Sequence, residues 1–247
     1  MAPLTANFRQ YLLGWGEAER GEGALDYFRS GLAAPQFNGV VRIHSLDEVG
    51  QAVATARTRL AGVPWWWWVG PDSPEGTPAI LAEHGMVAFV AVPLMVRPLD
   101  QPVEAEEAPA GLRIERVEEP GRLAELVRTY SASMGVASSL EADMVRIEAQ
   151  RPDNADVVRL AAVLDERVVG TTVVITTHGI AGIFLVHVAE THRRRGIGGA
   201  LTAAALHVGR KRGMNLAALA ASPAGEPLYQ RFGFVKVSEY RLFTLPA

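Results

Sequence analysis

The chain of 247 residues contains no cysteine. That excludes a disulfide framework, a thiolate nucleophile and a cysteine-ligated zinc, and it suits a cytoplasmic setting, which is the expectation. It also lacks any basic excess: 24 Lys and Arg stand against 27 Asp and Glu, a formal net charge of −3. Nothing in that balance would draw a polyanion, so nucleic acid is not an expected partner. Long hydrophobic runs are missing too. The longest, Met86–Val96, is broken by Pro93 and is too short to cross a bilayer. The opening MAPLTANFRQYLLGWGE has neither the basic start nor the small-residue cleavage site of a secretory leader. A soluble intracellular protein without a membrane partner is expected. His44, His84, His178, His192 and His207 fall at no metal-ligand spacing, so no metal is expected, and no G-x-S-x-G elbow appears.

What is present is ordinary globular composition, 49% hydrophobic and 21% charged, in a length that fits one large domain or two modest ones. A proline- and acid-rich stretch without apolar periodicity, residues 98–111, reads as a linker between a front part (1–97) and a back part (112–247). The back part alternates. Leu112–Val117 reads as a strand, Pro120 opens a helix, and Ser131–Ser139 reads as a loop before a second helix near Leu140–Ala149. Val157–Leu164 and Val168–Thr176 flank Asp165-Glu166 as a hairpin, and His178-Gly179 turns into a further strand, Ile183–Val188. An Ala-rich helix (Ala200–Arg212), a strand (Leu216–Ala221), a short helix (Glu226–Phe232) and two final strands complete the pattern.

The front part carries a faint echo of the back. Ser73-Pro-Glu-Gly-Thr-Pro78 and Ser222-Pro-Ala-Gly-Glu-Pro227 share one spacing, each after an apolar run and before a short helical stretch. The match reads either as coincidence between turn-rich loops or as duplication of a half-domain whose front copy has lost its chemistry. Where the back has Tyr229, the front offers Ile80 or Leu81, and no glycine-rich loop precedes Trp65. As a strand, Trp65–Trp68 would place two indoles on each face: one pair for the core, the other for a substrate cleft or a homodimer contact.

The most informative segment is Leu185-Val-His-Val-Ala-Glu-Thr-His-Arg-Arg-Arg-Gly-Ile-Gly-Gly-Ala-Leu201, a strand, a basic glycine-rich loop and a helix. Gly196, Gly198 and Gly199 let the backbone turn tightly and approach a bound group. The helix start leaves its first amides unpaired at the positive end of a dipole, and three arginines add to it, so a diphosphate suits the loop. A P-loop would need a lysine after the glycines, and a dinucleotide fingerprint would need a third spaced glycine; neither is there.

Arg193-x-x-Gly196-x-Gly198 resembles the [Q/R]-x-x-G-x-[G/A] signature of the GNAT superfamily of acyl-CoA N-acyltransferases. Pro227-Leu-Tyr-Gln-Arg-Phe-Gly-Phe234 is similar to that family's second hallmark, and the resemblance covers about 112–247. It implies a mixed α/β (α+β) fold with a mostly antiparallel sheet flanked by helices, here preceded by a smaller degenerate α/β half-domain. It further implies acetyl-CoA or another acyl-CoA as co-substrate and an amine acceptor. Under the resemblance, the backbone of Val186, His187 and Val188 would pair with the pantetheine arm. The amides of Arg194, Arg195, Gly196, Ile197, Gly198 and Gly199 would hold the pyrophosphate, with Arg193 as the leading basic residue. Ser222 would stand where many relatives place an asparagine on the cofactor, and Tyr229 would be the general acid. That role is chemically apt, because a phenol of pKa about 10 can protonate a leaving thiolate of pKa about 8.5.

Two features depart from the pattern. Glu190 stands where the family usually has proline. The strand Leu216–Ala221 carries no carboxylate, where relatives often have a glutamate base. His187 is the nearest candidate base by sequence, yet it faces away from Val186 and Val188 and reads more readily as a packed histidine. No base is assigned. Besides an N-acyltransferase using acyl-CoA, the sequence leaves open an acyl-carrier-protein donor and a non-catalytic acyl-CoA-binding regulatory module.

Overall fold

The computed structural model describes residues 1–16, 25–103 and 108–246. In chain order its elements begin with α1 (Ala2–Leu13), β1 (Leu25–Arg29), β2 (Asn38–Ile43), α2 (Val49–Arg59), β3 (Trp66–Val69), α3 (Thr77–Glu83) and β4 (Val87–Pro98). There follow β5 (Arg113–Arg116), α4 (Pro120–Ser133), α5 (Glu141–Ala149), β6 (Val157–Leu164), β7 (Arg167–Thr177) and β8 (Ile180–Val188). The chain ends with α6 (Ile197–Lys211), β9 (Leu216–Ala220), α7 (Glu226–Arg231) and β10 (Val235–Thr244). It divides into two compact units, Met1–Leu94 with Val237–Ala247, and Met95–Lys236. Among the described residues no helix is long and apolar enough to cross a membrane.

In the front unit β1 pairs antiparallel with β2, β2 parallel with β3, and β3 antiparallel with β10. The last strand of the sequence therefore completes the first unit. One face of these strands buries Val40, Trp67 and Phe243 against Ala52, Val53 and Ala56 of α2. On the other face Phe8 of α1 stacks on Tyr240 at 4.2 Å and meets Trp68 edge-on at 5.4 Å. The tryptophan run divides two and two, as strand alternation demands. Trp65 and Trp67 are buried, Trp68 lies against Phe8, and Trp66 lies 5.2 Å from Phe89.

The back unit is an antiparallel meander, β5 to β8, with β9 added parallel to β8. Both hairpin turns, Asp165-Glu166 and His178-Gly179, place two residues at positive φ (50°, 60°, 56° and 74°), the geometry that matches the strand twist. Helix α6 packs very closely on β8. A Cβ on Gly209 would lie 2.7 Å from the Cβ of Ala181 and 2.9 Å from a Leu99 methyl. Met95, Leu99, Ile183, Leu206, Leu219, Tyr229 and Phe234 share the same core.

Several element boundaries differ from the sequence reading; β8, for one, begins at Ile180, three residues early. Helix α6 begins at Ile197, three residues early, because Gly196 takes a left-handed φ of 78° and turns the chain straight into the helix. Helix α4 runs on to Ser133, and the expected loop also holds a 3-10 turn at Ser138–Leu140. The two final strands are one, β10, since neither glycine nor proline interrupts Val235–Thr244.

The units also repeat one local arrangement. In each, an antiparallel pair is followed by a helix and a parallel neighbour, and the second strand of the pair carries an extra residue. β2 shifts register as Asp26↔Arg42 gives way to Tyr27↔Val40, and β8 as Thr171↔His187 gives way to Val173↔Phe184.

Candidate active site

The site is built on the end of β8. That strand pairs with β9 over Ile180–Gly182 against Leu216–Ala218, then continues to Val188 beyond the paired stretch. The bulge turns it. Leu185 adopts φ 50°, a left-handed conformation costing an L-residue about 1–2 kcal/mol. Two buried threonines of β7 hold the displaced carbonyls: Thr171 Oγ1 donates to Leu185 O at 2.8 Å and Thr172 Oγ1 to Phe184 O at 3.3 Å. Beyond the bulge, Val186 and Val188 pack against Ile197, Leu201 and their neighbours. His187 points the other way, towards α4, with Nδ1 3.0 Å from Ser133 Oγ.

The loop after β8 carries the basic residues. The Arg193 guanidinium donates to Val188 O at 3.3 Å and to Ser133 Oγ at 3.4 Å. It braces the loop internally, while the exposed Arg194 and Arg195 form no ion pair among the described residues. Arg194 at φ 62° and Gly196 at φ 78° turn the backbone into α6. The first-turn hydrogen bond of that helix runs from Ala200 N to Gly196 O, so the amides of Ile197, Gly198 and Gly199 precede any partner four residues back. No acidic residue stands in the first turn. The result is a short row of amides at a positive helix end beside two unpaired guanidinium groups, an anion cradle. The front unit has no counterpart: Asp47 and Glu48 stand at the start of α2, with Glu48 at its N-cap.

Helix α7 brings up Tyr229. Its ring sits beside Gly225, where a Cβ would lie 3.1 Å from the ring and 3.2 Å from Ser222 Oγ and would press on both. Ser222 Oγ accepts from Gly225 N at 3.2 Å. The Tyr229 ring meets Phe234 edge-on at 5.8 Å, and burial pushes its pKa up to about 12. The phenol therefore stays protonated across the physiological range. Gly198 lies close to α7 as well, since a Cβ there would approach a Leu228 methyl at 3.3 Å.

Burial, with the charge of Arg193 as the lesser cause, lowers the pKa of His187 to about 4. An imidazole that takes up a proton only there is a weak proton acceptor for an amine at neutral pH. A cavity of ≈ 550 Å³ adjoins this cluster, lined by Glu125, Arg128, Thr129, Ser133, Glu190 and Arg193 among others. Among the described residues no group of three His, Asp or Glu side chains could hold a metal ion.

Sequence reasoning missed Ser133, Thr171, Thr172 and the left-handed Leu185. The first three are hydroxyl residues of a kind that is common everywhere, and only the fold gives them partners. The bulge could not be read from an apolar run with no glycine at the bend.

The model of the acetyltransferase (GNAT) family matches residues 123–234. Among solved structures, a GCN5-related N-acetyltransferase from Kribbella flavida is 19% identical, with 99% of this chain and 95% of that one covered at a TM-score of 0.74. A GCN5-related N-acetyltransferase from Sphaerobacter thermophilus is 21% identical, with 90% and 76% covered at 0.65. A tandem GNAT protein from the clavulanic acid biosynthesis pathway is 18% identical, with 97% and 94% covered at 0.59. At such identities the likeness is one of fold. No curated protein matches the chain.

Proposed function

We propose, from the match of residues 123–234 to the acetyltransferase (GNAT) family model, that the back unit transfers an acyl group, acetyl in the first instance, from acyl-CoA to an amine of a small molecule or protein. The observation that carries the reading is the anion cradle at α6. It comprises the amides of Ile197–Gly199, left-handed Gly196 and the unpaired Arg194 and Arg195, at the end of a strand that a bulge turns beside β9. A diphosphate suits the cradle, and in this reading the backbone of Val186–Val188 pairs with an extended pantetheine. Ser222 and Tyr229 stand together around Gly225.

Acyl-CoA supplies a thioester carbonyl for the amine to attack and a thiolate to leave as the C–S bond breaks and the C–N bond forms. The protein's part is largely positioning, together with one proton. Tyr229, held neutral by burial, donates that proton to the departing sulfur. His187 is too weakly basic to take the amine's proton, so the acceptor enters as the free amine or gives its proton to water. The front unit, with acidic residues at its corresponding helix start and Phe8 packed on Trp68 and Tyr240, is read as a degenerate copy without a cofactor site.

The absence of a carboxylate on β9 also fits a module that binds acyl-CoA without turnover. One experiment separates these readings. Thermal unfolding is followed with saturating acetyl-CoA, with NAD and ATP as controls, and thiol release is then measured over a panel of amines. Ligand at a hundred times its dissociation constant adds about 2.7 kcal/mol and raises Tm visibly. The expected result is a rise with acetyl-CoA alone, lost in Gly198→Glu, with thiol release for at least one amine. A rise without release for any amine favours the module. No rise removes free acetyl-CoA as the donor and leaves two readings, a carrier-bound acyl donor or a family member that has lost its ligand.

A further inference from the structure

We propose that Ser133, the last residue of α4, is a positioning residue whose hydroxyl fixes His187 as the neutral tautomer protonated on Nε2 and ties the Arg193 loop to α4. The argument is one of proton bookkeeping. A serine hydroxyl has one proton to give and lone pairs to receive, whereas a guanidinium can only donate. Arg193, 3.4 Å from Ser133 Oγ, occupies one of its two lone pairs, and the hydroxyl proton still needs an acceptor of its own. The acceptor in reach is His187 Nδ1 at 3.0 Å. Many helical serines spend this proton on a carbonyl one turn back, as Ser131 does on Arg128 O at 3.2 Å; Ser133 forms no such bond among the described residues.

An Nδ1 that accepts carries no proton. The proton of the neutral ring then sits on Nε2, and His187 offers its surroundings a donor in place of a lone pair. The same cluster reaches the backbone, because Arg193 also donates to Val188 O. One hydroxyl thus links α4, the end of β8 and the start of the basic loop. The low basicity of His187 agrees with a neutral ring beside a cation.

The tautomer is independent of the acyl-CoA reading, while the kinetic consequence rests on it, and two measurements keep them apart. The first is two-dimensional nitrogen–proton NMR of the histidine rings in unliganded 15N-labelled protein at pH 7, with His187→Gln to assign the signals. The pattern of a ring protonated on Nε2 is expected for His187. A ring protonated on Nδ1, or an imidazolium, overturns the proposal. The second is acetyl-CoA kinetics. Loss of one hydroxyl shared by two partners raises KM for acetyl-CoA about three- to tenfold in Ser133→Ala, with kcat within about twofold, and Ser133→Thr restores it. Lowered kcat at unchanged KM, or no rescue by threonine, overturns the clamping role. If wild-type protein binds no acetyl-CoA, the reading with free acyl-CoA as donor fails, while the NMR result still decides the tautomer.

Discussion

Thr171 and Leu185 are joined by a hydrogen bond of 2.8 Å, from the threonine hydroxyl to the carbonyl of a leucine held at φ 50°. The bond satisfies a carbonyl that the bulge removes from the β7–β8 ladder. It stands at the bend that aims the rest of β8. Replacing Thr171 by valine keeps shape and burial but removes the donor. A buried acceptor left unsatisfied costs about 1–3 kcal/mol, so Thr171→Val is expected to unfold at lower denaturant and to bind acetyl-CoA more weakly. Denaturant melts and titration calorimetry check both. An unchanged midpoint with unchanged affinity would show that the bulge holds itself.

Tyr229→Phe is expected to keep acetyl-CoA affinity and lose about 10²–10⁴ in kcat, the usual contribution of a general acid. Because burial raises the Tyr229 pKa to about 12, the wild-type kcat profile should show no descending limb from this phenol up to pH 10. A tyrosine-dependent limb near pH 9, absent from the phenylalanine variant, would contradict the buried, protonated phenol. Full turnover in Tyr229→Phe would remove this residue from the mechanism.

His187 gives a stability prediction with a definite sign. Its folded-state pKa of about 4 lies below the ordinary value of 6.5, so protonation favours the unfolded chain. The contribution is fully present above pH 6.5 and is lost as pH falls from 6.5 towards 4. About 2.5 units correspond to roughly 3 kcal/mol as an upper figure. His187→Gln, which cannot be protonated, is expected to lose less stability than wild type between pH 7 and pH 5 in paired denaturant melts. Equal slopes would mean that His187 titrates normally in the folded protein.

The legible parts of this protein were those encoded by neighbouring residues. Asp165-Glu166 and His178-Gly179 mark hairpin turns because two adjacent small or polar residues must take positive φ. Gly196-x-Gly198-Gly199 marks the start of α6 because only glycine turns so tightly next to unpaired amides. Such signals are local, and the structure keeps them, moving the helix start only as far as Gly196 itself permits. The shared spacing around Ser73 and Ser222 was legible in the same way, as two similar turns. The register shifts at Val40–Arg42 and Phe184–His187, by contrast, are visible only in the fold.

The sequence by itself thus determined most of the order of strands and helices in the back part, the glycine-rich loop before α6 and the tyrosine helix after β9. Each depends on a periodicity or a glycine spacing that spans only a few residues. Only the tertiary structure decided that the last strand, β10, completes the first unit, that Arg193 braces the loop internally, and that Ser133 and Thr171 support the site. The reason is physical. A hydroxyl or a guanidinium has no preferred partner until packing brings one within hydrogen-bond reach, and here the partners of the Thr171 and Ser133 hydroxyls lie 14 to 60 residues away along the chain.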